Sequence, residues 1–139
     1  MVKKNSSNIY KKFYDNNGYV VIEDLVPKKH IDELLKIFSK DIINNKEILL
    51  PLMDKQKVSK PTFLNGKLQN PISDPHCIKF FDNKLKNFND ACLKVILSKE
   101  IYKTLKEIYD KKKFKLLMSM FFDQNAGTPA HQDCYYLDS

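Results

Sequence analysis

The feature that most constrains the fold is a helical repeat of apolar residues over 27–45, in the stretch "PKKHIDELLKIFSKDIINN". Such a repeat predicts an amphipathic helix packed on a core, and Pro27 suits its first turn. The apolar positions of the repeat are Ile31, Leu34, Leu35, Phe38 and Ile42. Weaker helical patterns over 6–19, over 80–97 and from Ser98 onward predict three further helices, the last one capped by Ser98.

Two other stretches have the composition of strands. Residues 19–24, "YVVIED", are β-branched and short, and Gly18 before them suits the end of the first helix, which Ser6 or Ser7 can cap. Residues 113–123, "KFKLLMSMFFD", are apolar at alternate positions and mostly apolar between them, which is typical of a strand covered on both faces.

Between these elements, 51–76 is a proline-punctuated polar stretch that predicts a long irregular segment with a tight turn at Asn65-Gly66. A chain of 139 residues is enough for one core. We therefore expect a single α+β domain over 1–139.

The composition limits the partners that we expect. The net charge is +7, but all 24 basic residues are lysine, and arginine is the usual reader of guanine and phosphate. The lysines are mostly scattered, so we interpret them as a solvated surface and expect no nucleic-acid partner. Apolar runs are too short to span a bilayer, and the N-terminus lacks a secretory signal pattern, so we expect a cytoplasmic protein with no membrane partner.

The three cysteines, Cys77, Cys92 and Cys134, are widely spaced and form no CxxC pair. This pattern predicts buried or half-buried free thiols rather than a disulfide framework. It also disfavours a structural zinc site, which usually draws on closely spaced cysteine or histidine pairs.

The residues that most suggest a functional site lie in 127–139, "GTPAHQDCYYLDS". If this stretch is extended, His131 and Asp133 point to the same side and Gln132 to the other. An imidazole and a carboxylate so placed supply two members of the two-His-one-carboxylate triad of non-haem iron(II) oxygenases. A bare HxD also arises by chance as a surface His beside a solvated Asp. The apolar strand before it, the Gly-Thr-Pro turn and the aromatics after it favour a metal site.

The stretch "MFFDQNAGTPAHQDCYYLDS" resembles the first metal-binding strand of the phytanoyl-CoA dioxygenase family, whose members are iron(II)- and 2-oxoglutarate-dependent oxygenases. That family has an apolar strand, a variable loop and H-x-D, commonly HQD, followed by an aromatic residue. The N-terminal "IYKKFYDNNGYVVIEDLVPKKHIDELLKIF" is similar to the family's opening. The helical stretch "KNFNDACLKVILSKEIYKTLKEIY" stands where the family carries helices before a double-stranded β-helix.

The resemblance implies a fold made of N-terminal helices and the first strands of a double-stranded β-helix, which is a jelly-roll or cupin-like barrel. It implies that His131 and Asp133 bind Fe(II) and that Gln132 and Met120 approach the cosubstrate 2-oxoglutarate. Tyr135 and Tyr136 would line the pocket of a small-molecule substrate, or serve equally well as core aromatics. The activity implied is hydroxylation of that substrate.

The chain also departs from the family pattern. The family's second histidine ligand and the arginine that binds 2-oxoglutarate come well downstream, whereas this chain has no arginine and ends six residues after Asp133. We therefore expect an N-terminal portion of a longer oxygenase, truncated before the barrel is complete and inactive alone. His30, near the polar boundary of its helix, and His76, as a cap or surface residue, are not expected to complete the triad.

Two alternatives to the oxygenase remain open at this point. One is a non-catalytic interaction protein derived from the same fold. The other is a basic nucleic-acid-binding module, which a strong salt-dependent affinity would support. The oligomeric state does not follow from the sequence.

Overall fold

The fold combines helices with very short strands, and the computed structural model describes residues 9–45, 47–52 and 58–124. The helices are α1 (Ile9–Asn17), α2 (Lys28–Phe38), α3 (Lys86–Ile96) and α4 (Lys99–Tyr109). The strands are β1 (Leu50–Pro51), β2 (Val58–Ser59), β3 (Phe63–Leu64), β4 (Lys67–Leu68), β5 (Ile72–Ser73) and β6 (Met120–Phe121). The α+β class predicted from the sequence is confirmed at this level, while the double-stranded β-helix stays a prediction.

The strongest helical repeat in the sequence forms α2, as predicted. Pro27 directly precedes its first residue, and the helix continues into a π-helical turn over Ser39–Ile43. Leu34, Phe38 and Ile42 are buried in the core. Leu35 was predicted to lie on the same face, but its side chain is exposed. The buried face of α2 is therefore narrower than the apolar repeat in the sequence.

The second helical region is shorter than its sequence pattern. Two 3₁₀ turns, Ile78–Phe80 and Asn83–Leu85, precede α3, which begins at Lys86 rather than near 80. The sequence predicts one apolar face of this helix over Leu85, Phe88, Cys92 and Ile96; the first three are buried and Ile96 is partly buried. The predicted cap of α4 is confirmed: the Ser98 hydroxyl accepts a hydrogen bond from the Ile101 N–H over 3.4 Å.

The end of α1 also follows the sequence. Gly18 has a φ of +75° and donates its N–H to the Tyr14 carbonyl over 2.8 Å, as a residue just past a helix end does. The predicted caps Ser6 and Ser7 lie outside the described residues. The strand predicted over 19–24 is wrong. This stretch is not paired with any described strand, and Tyr19 and Val21 are exposed.

The region 51–76 was expected to be irregular, and the structure corrects this. It contains β2 to β5 and the end of β1, each strand only two residues long. They form the antiparallel pairs β1–β2 and β3–β4, and β5 pairs with β6 from later in the chain. The tight turn at Asn65-Gly66 is confirmed, because both residues have positive φ (51° and 75°) and join β3 to β4, as in a type I′ hairpin. A bridge between Leu52 and Ile72 connects the β1–β2 pair to the β5–β6 pair.

The predicted strand over 113–123 is mostly absent. Only Met120 and Phe121 pair, with Ser73 and Ile72 respectively. Leu117 is 75 % exposed, so the expected cover on both faces is also wrong for the described residues. No helix in the described ranges is long and apolar enough to cross a membrane.

Candidate functional site

Most of the predicted metal site falls outside the described part of the chain. His131, Gln132, Asp133, Tyr135 and Tyr136 are all in this group, and so is Cys134. The extended conformation considered for 127–139 therefore stays a prediction. The structure does describe the residues that lead into this segment, and it describes Met120, the predicted cosubstrate contact.

Strand β6 has an inner and an outer face. Phe121 points inward, with its ring centroid 4.6 Å from that of Phe38 and 5.3 Å from that of Phe88. Because successive side chains alternate in a strand, Met120 and Phe122 point the other way. Both are partly open to solvent, Met120 at 38 % exposure. The outer face of β6 is therefore apolar and is not covered by the described helices.

The beginning of β6 is held by a small polar cluster. The Asp74 N–H donates to the Ser119 carbonyl over 2.8 Å, and the Ser119 N–H donates to Asp74 Oδ1 over 3.0 Å. Ser119 Oγ lies 2.6 Å from His76 Nδ1, which is 3.8 Å from Asp74 Oδ1. His76 was predicted to be a cap or a surface residue. That prediction is wrong, since its half-buried side chain contacts a residue 43 positions later.

The end of β6 is held by a carboxylate. Asp123 Oδ2 accepts a hydrogen bond from the Leu68 N–H over 2.9 Å, and Oδ1 lies 3.3 Å from Lys67 Nζ. The Asp123 side chain is only 11 % exposed, whereas that of Lys67 is mostly in solvent. Asp123 therefore joins β6 to the β3–β4 hairpin, 55 residues earlier in the chain.

The other candidate ligands are separate from this region. His30 lies half-buried on α2, and its Nδ1 has no hydrogen-bond partner among the described residues. Within 9–45, 47–52 and 58–124, no group of three or more His, Cys, Asp or Glu side chains could hold a metal ion. The described structure thus neither adds a ligand to His131 and Asp133 nor offers a rival metal centre among the residues it covers.

The two described cysteines are free thiols, as predicted. Burial raises the pKa of Cys92 to about 12. Cys77 is only half-buried, and its pKa is raised by desolvation and by the nearby negative charge of Asp74. Neither environment favours the thiolate, so neither thiol has the low pKa that a catalytic nucleophile or a metal ligand needs.

Comparison of the chain with protein-family models, with curated proteins and with solved structures found no match.

The sequence interpretation missed the residues that hold β6, namely Asp74, Ser119 and Asp123. One signal was available, because Asp123 directly follows the apolar stretch. Its partner Leu68 gives no such signal, since the contact is made by a backbone N–H. The partner of Ser119 is equally hard to find from the sequence, because Asp74 reaches it from 45 residues away.

Proposed function

We propose that the chain is part of an iron(II)- and 2-oxoglutarate-dependent dioxygenase that hydroxylates a small organic substrate. The observation that carries the proposal is the sequence "AHQDCYY", which begins nine positions after the end of strand β6. His131 and Asp133 would be two of the three protein ligands of the iron. Imidazole and carboxylate are the donor types of the facial triad, so the donor set fits Fe(II).

The described fold supports this proposal in one further respect. The outer face of β6, with Met120 and Phe122, is apolar and lies on the side away from α2 and α3. A substrate and its cosubstrate need such a lining, since ligand sites are mostly apolar with a few placed polar groups. Met120 is thus a candidate wall of the pocket, and Gln132 a candidate polar contact to 2-oxoglutarate.

The resemblance to the phytanoyl-CoA dioxygenases suggests where the rest of the centre comes from. We propose that a histidine and an arginine in sequence following residue 139 complete the iron site and bind the carboxylate of 2-oxoglutarate. When bound, iron(II) would use O2 as the oxidant, with one oxygen atom going to the hydroxylated C–H bond and the other to succinate as 2-oxoglutarate loses CO2. The protein orients the two ligands, lines the pocket through Met120, Tyr135 and Tyr136, and keeps bulk water away. The resemblance likewise suggests a small-molecule substrate, and the composition of the sequence leads us to propose a cytoplasmic enzyme with no nucleic-acid partner.

A second candidate is a non-catalytic interaction protein derived from the same fold. The observation that favours it is the exposed apolar side chains just before β6, Leu117 and Met118. Exposed apolar patches of this kind often mark contact surfaces. This candidate requires neither iron nor 2-oxoglutarate.

One assay separates the two candidates. The protein is expressed from its complete natural reading frame, and succinate release is measured with iron(II), 2-oxoglutarate and oxygen. 2-Oxoglutarate turnover, even without a known substrate, is the result that the oxygenase predicts. His131→Ala should abolish it, whereas Gln132→Ala should only reduce it. A natural full-length protein that releases no succinate and binds no iron contradicts the oxygenase and leaves the interaction protein.

A further inference from the structure

The solvent side of α4 carries lysines and tyrosines in alternation. Residues three and four apart on a helix are neighbours on its surface, so side chains at this spacing form one stripe. The members of the stripe are all exposed, and they are Lys99, Tyr102, Lys106 and Tyr109. Ile108, the buried residue of α4, lies on the opposite side of the helix. The stripe therefore faces away from the packed interior.

A cluster of aromatic rings joins this stripe to the chain that follows α4. The centroid of the Phe114 ring lies 6.1 Å from that of Tyr102 and 6.4 Å from that of Tyr109. The Tyr102 hydroxyl donates to the Lys112 carbonyl over 2.9 Å. The Tyr109 hydroxyl donates to the Tyr14 hydroxyl over 3.0 Å. These contacts hold the chain after α4 against the stripe, while the three clustered rings stay exposed to solvent.

The same stretch concentrates the positive charge of the chain. Residues 99–115 contain seven lysines and three acidic residues, so they carry +4 of the net charge of +7. All seven lysines are exposed, and none forms an ion pair with another described residue. Each of the other three helices does hold a lysine paired with an aspartate one turn later, and these pairs are Lys11–Asp15, Lys28–Asp32 and Lys86–Asp90.

The acidic residues of this stretch favour one kind of anionic partner. Asp110 is exposed at the end of α4, directly before three consecutive lysines. A membrane surface or a nucleic-acid backbone carries continuous negative charge, so it would meet Asp110 as well as the lysines, and like charges brought together oppose binding. An acidic protein segment can place its carboxylates opposite the lysines and leave a gap at Asp110. Its apolar side chains can also pack on the rings, as aromatic residues at protein interfaces allow.

We propose that the exposed face formed by α4 and 111–115 is a docking surface for an acidic segment of a partner protein. Carboxylates of the segment pair with lysines such as Lys106 and Lys113, and its apolar side chains pack on the ring of Phe114 and on the two tyrosine rings beside it. The exposed lysines mainly set the association rate and its salt dependence, whereas the ring contacts supply most of the affinity. The proposal does not depend on the proposed function.

The test uses the protein expressed from its complete natural reading frame and a labelled short peptide that repeats Glu-Glu-Leu. Fluorescence anisotropy measures the binding of the peptide at increasing salt concentration. The wild type should bind this peptide, and the affinity should fall as salt screens the charges. The same peptide with glutamine in place of every glutamate should not bind, because it offers no carboxylate to the lysines.

Paired lysine substitutions test the charge of the surface. The double variant Lys106→Gln with Lys113→Gln should weaken peptide binding about fivefold and lower its salt dependence, since it removes two exposed ion pairs. The matched control is Lys29→Gln with Lys36→Gln. It changes the net charge equally, but it removes exposed lysines of α2, and it should keep wild-type affinity.

A ring substitution tests the apolar part of the surface. Phe114→Ala should weaken binding about tenfold and leave the salt dependence unchanged, because it removes packing and no charge. The matched control Phe80→Ala should have no effect. It also removes an exposed ring near a lysine, with Lys79 Nζ 5.5 Å from its centroid, but this ring belongs to the 3₁₀ turn before α3. Urea unfolding shows which variants are folded.

Several results would overturn the proposal. One is a wild type that does not bind the Glu-Glu-Leu peptide, and another is an equal loss of affinity in the two double lysine variants. A folded Phe114→Ala protein with wild-type affinity would remove the role of the rings. Tighter binding of polyuridine RNA, or of phosphatidylcholine vesicles containing phosphatidylserine, would mean that the partner is not a protein. If Phe114→Ala fails to fold, the two double lysine variants decide. Succinate release tests the oxygenase separately and is unaffected by any of these results.

Discussion

The helical layer of α2 and α3 and the segment beside β6 bury their apolar side chains to very different extents. In the helices, Phe38, Ile42 and Phe88 are almost inaccessible to solvent. Beside β6, the side chains of Leu117, Met118 and Phe122 are exposed. Each strand is two residues long, and those that reach the core do so through single side chains such as Leu50, Leu68 and Ile72, which are as buried as those of the helices. A helix satisfies its own backbone hydrogen bonds and needs cover on one face only, whereas a strand needs a neighbour at each edge and cover on the faces. Helices α2 and α3 and the buried strand positions therefore form one core, while the chain beside β6 stays open to solvent.

The largest expected effect of a single substitution lies in the helical layer. Phe88 has no exposed surface and contacts both Phe38 and Phe121. Phe88→Ala should lower the free energy of unfolding by about 3–5 kcal/mol, because it leaves a cavity in a packed core. Phe122→Ala, at an exposed position after β6, should change it by about 0.5 kcal/mol or less. Urea unfolding followed by circular dichroism measures both, and similar losses in the two variants would contradict the division into a closed and an open region.

The next effect concerns the two described thiols, Cys92 in the helical layer and Cys77 in the chain just after β5. Cys92 in α3 has a pKa of about 12 when folded, against an ordinary value of 9.0. Between these pH values the unfolded chain loses the thiol proton while the folded chain keeps it, so stability falls as pH rises from about 9 to 12. The slope from this thiol approaches about 1.4 kcal/mol per pH unit.

This slope is measured as the difference between the wild type and Cys92→Ala in urea unfolding across that pH range. A parallel test is alkylation at pH 8.5, in which half-buried Cys77 should react before Cys92. Equal rates for the two thiols would show that Cys92 is not shielded by the helical core.

A smaller effect is expected in the β3–β4 hairpin. Gly66 has a φ of +75°, and a Cβ there would meet no atom within 4 Å. Gly66→Ala should therefore lower the free energy of unfolding by about 1 kcal/mol, because Ala is strained in the left-handed backbone conformation and no steric clash adds to this. Gly66→Asn should cost less, since Asn tolerates this conformation. Thermal unfolding of the two variants checks this order. A loss of unfolding free energy larger than that of Phe88→Ala would mean that the hairpin contributes more to stability than the packed core does.

The contrast between helices and strands also decides what could be predicted from the sequence. The repeat that forms α2 and the caps Ser98 and Gly18 are local signals, and the structure confirms them. The strand expected over 19–24 has the right composition but no described partner, and β propensity counts only where a strand is paired and half-buried. The two-residue strands between 50 and 73 are too short for any alternation to appear in the sequence.

The candidate site divides in a similar way. His131 and Asp133 could be proposed from a short motif, because their predicted relation depends only on their being two positions apart in the sequence. The contacts of Ser119 with Asp74 and of Asp123 with Leu68 could not, since each joins residues 45 or more positions apart and one partner is a backbone group. Such contacts depend on how the hairpin and β5 pack beside β6, which the local sequence does not encode.

The oxygenase proposal depends on Asp133 being an iron ligand, and anaerobic titration of iron(II) by calorimetry tests that assignment. The protein is expressed from its complete natural reading frame as wild type, Asp133→Ala and the matched control Asp138→Ala. We expect Asp133→Ala to lose iron affinity by more than the roughly 100-fold that loss of an outer-shell partner reaches, and Asp138→Ala to keep wild-type affinity. Wild-type iron affinity in Asp133→Ala would contradict the facial triad, and with it the assignment of this chain to iron- and 2-oxoglutarate-dependent chemistry.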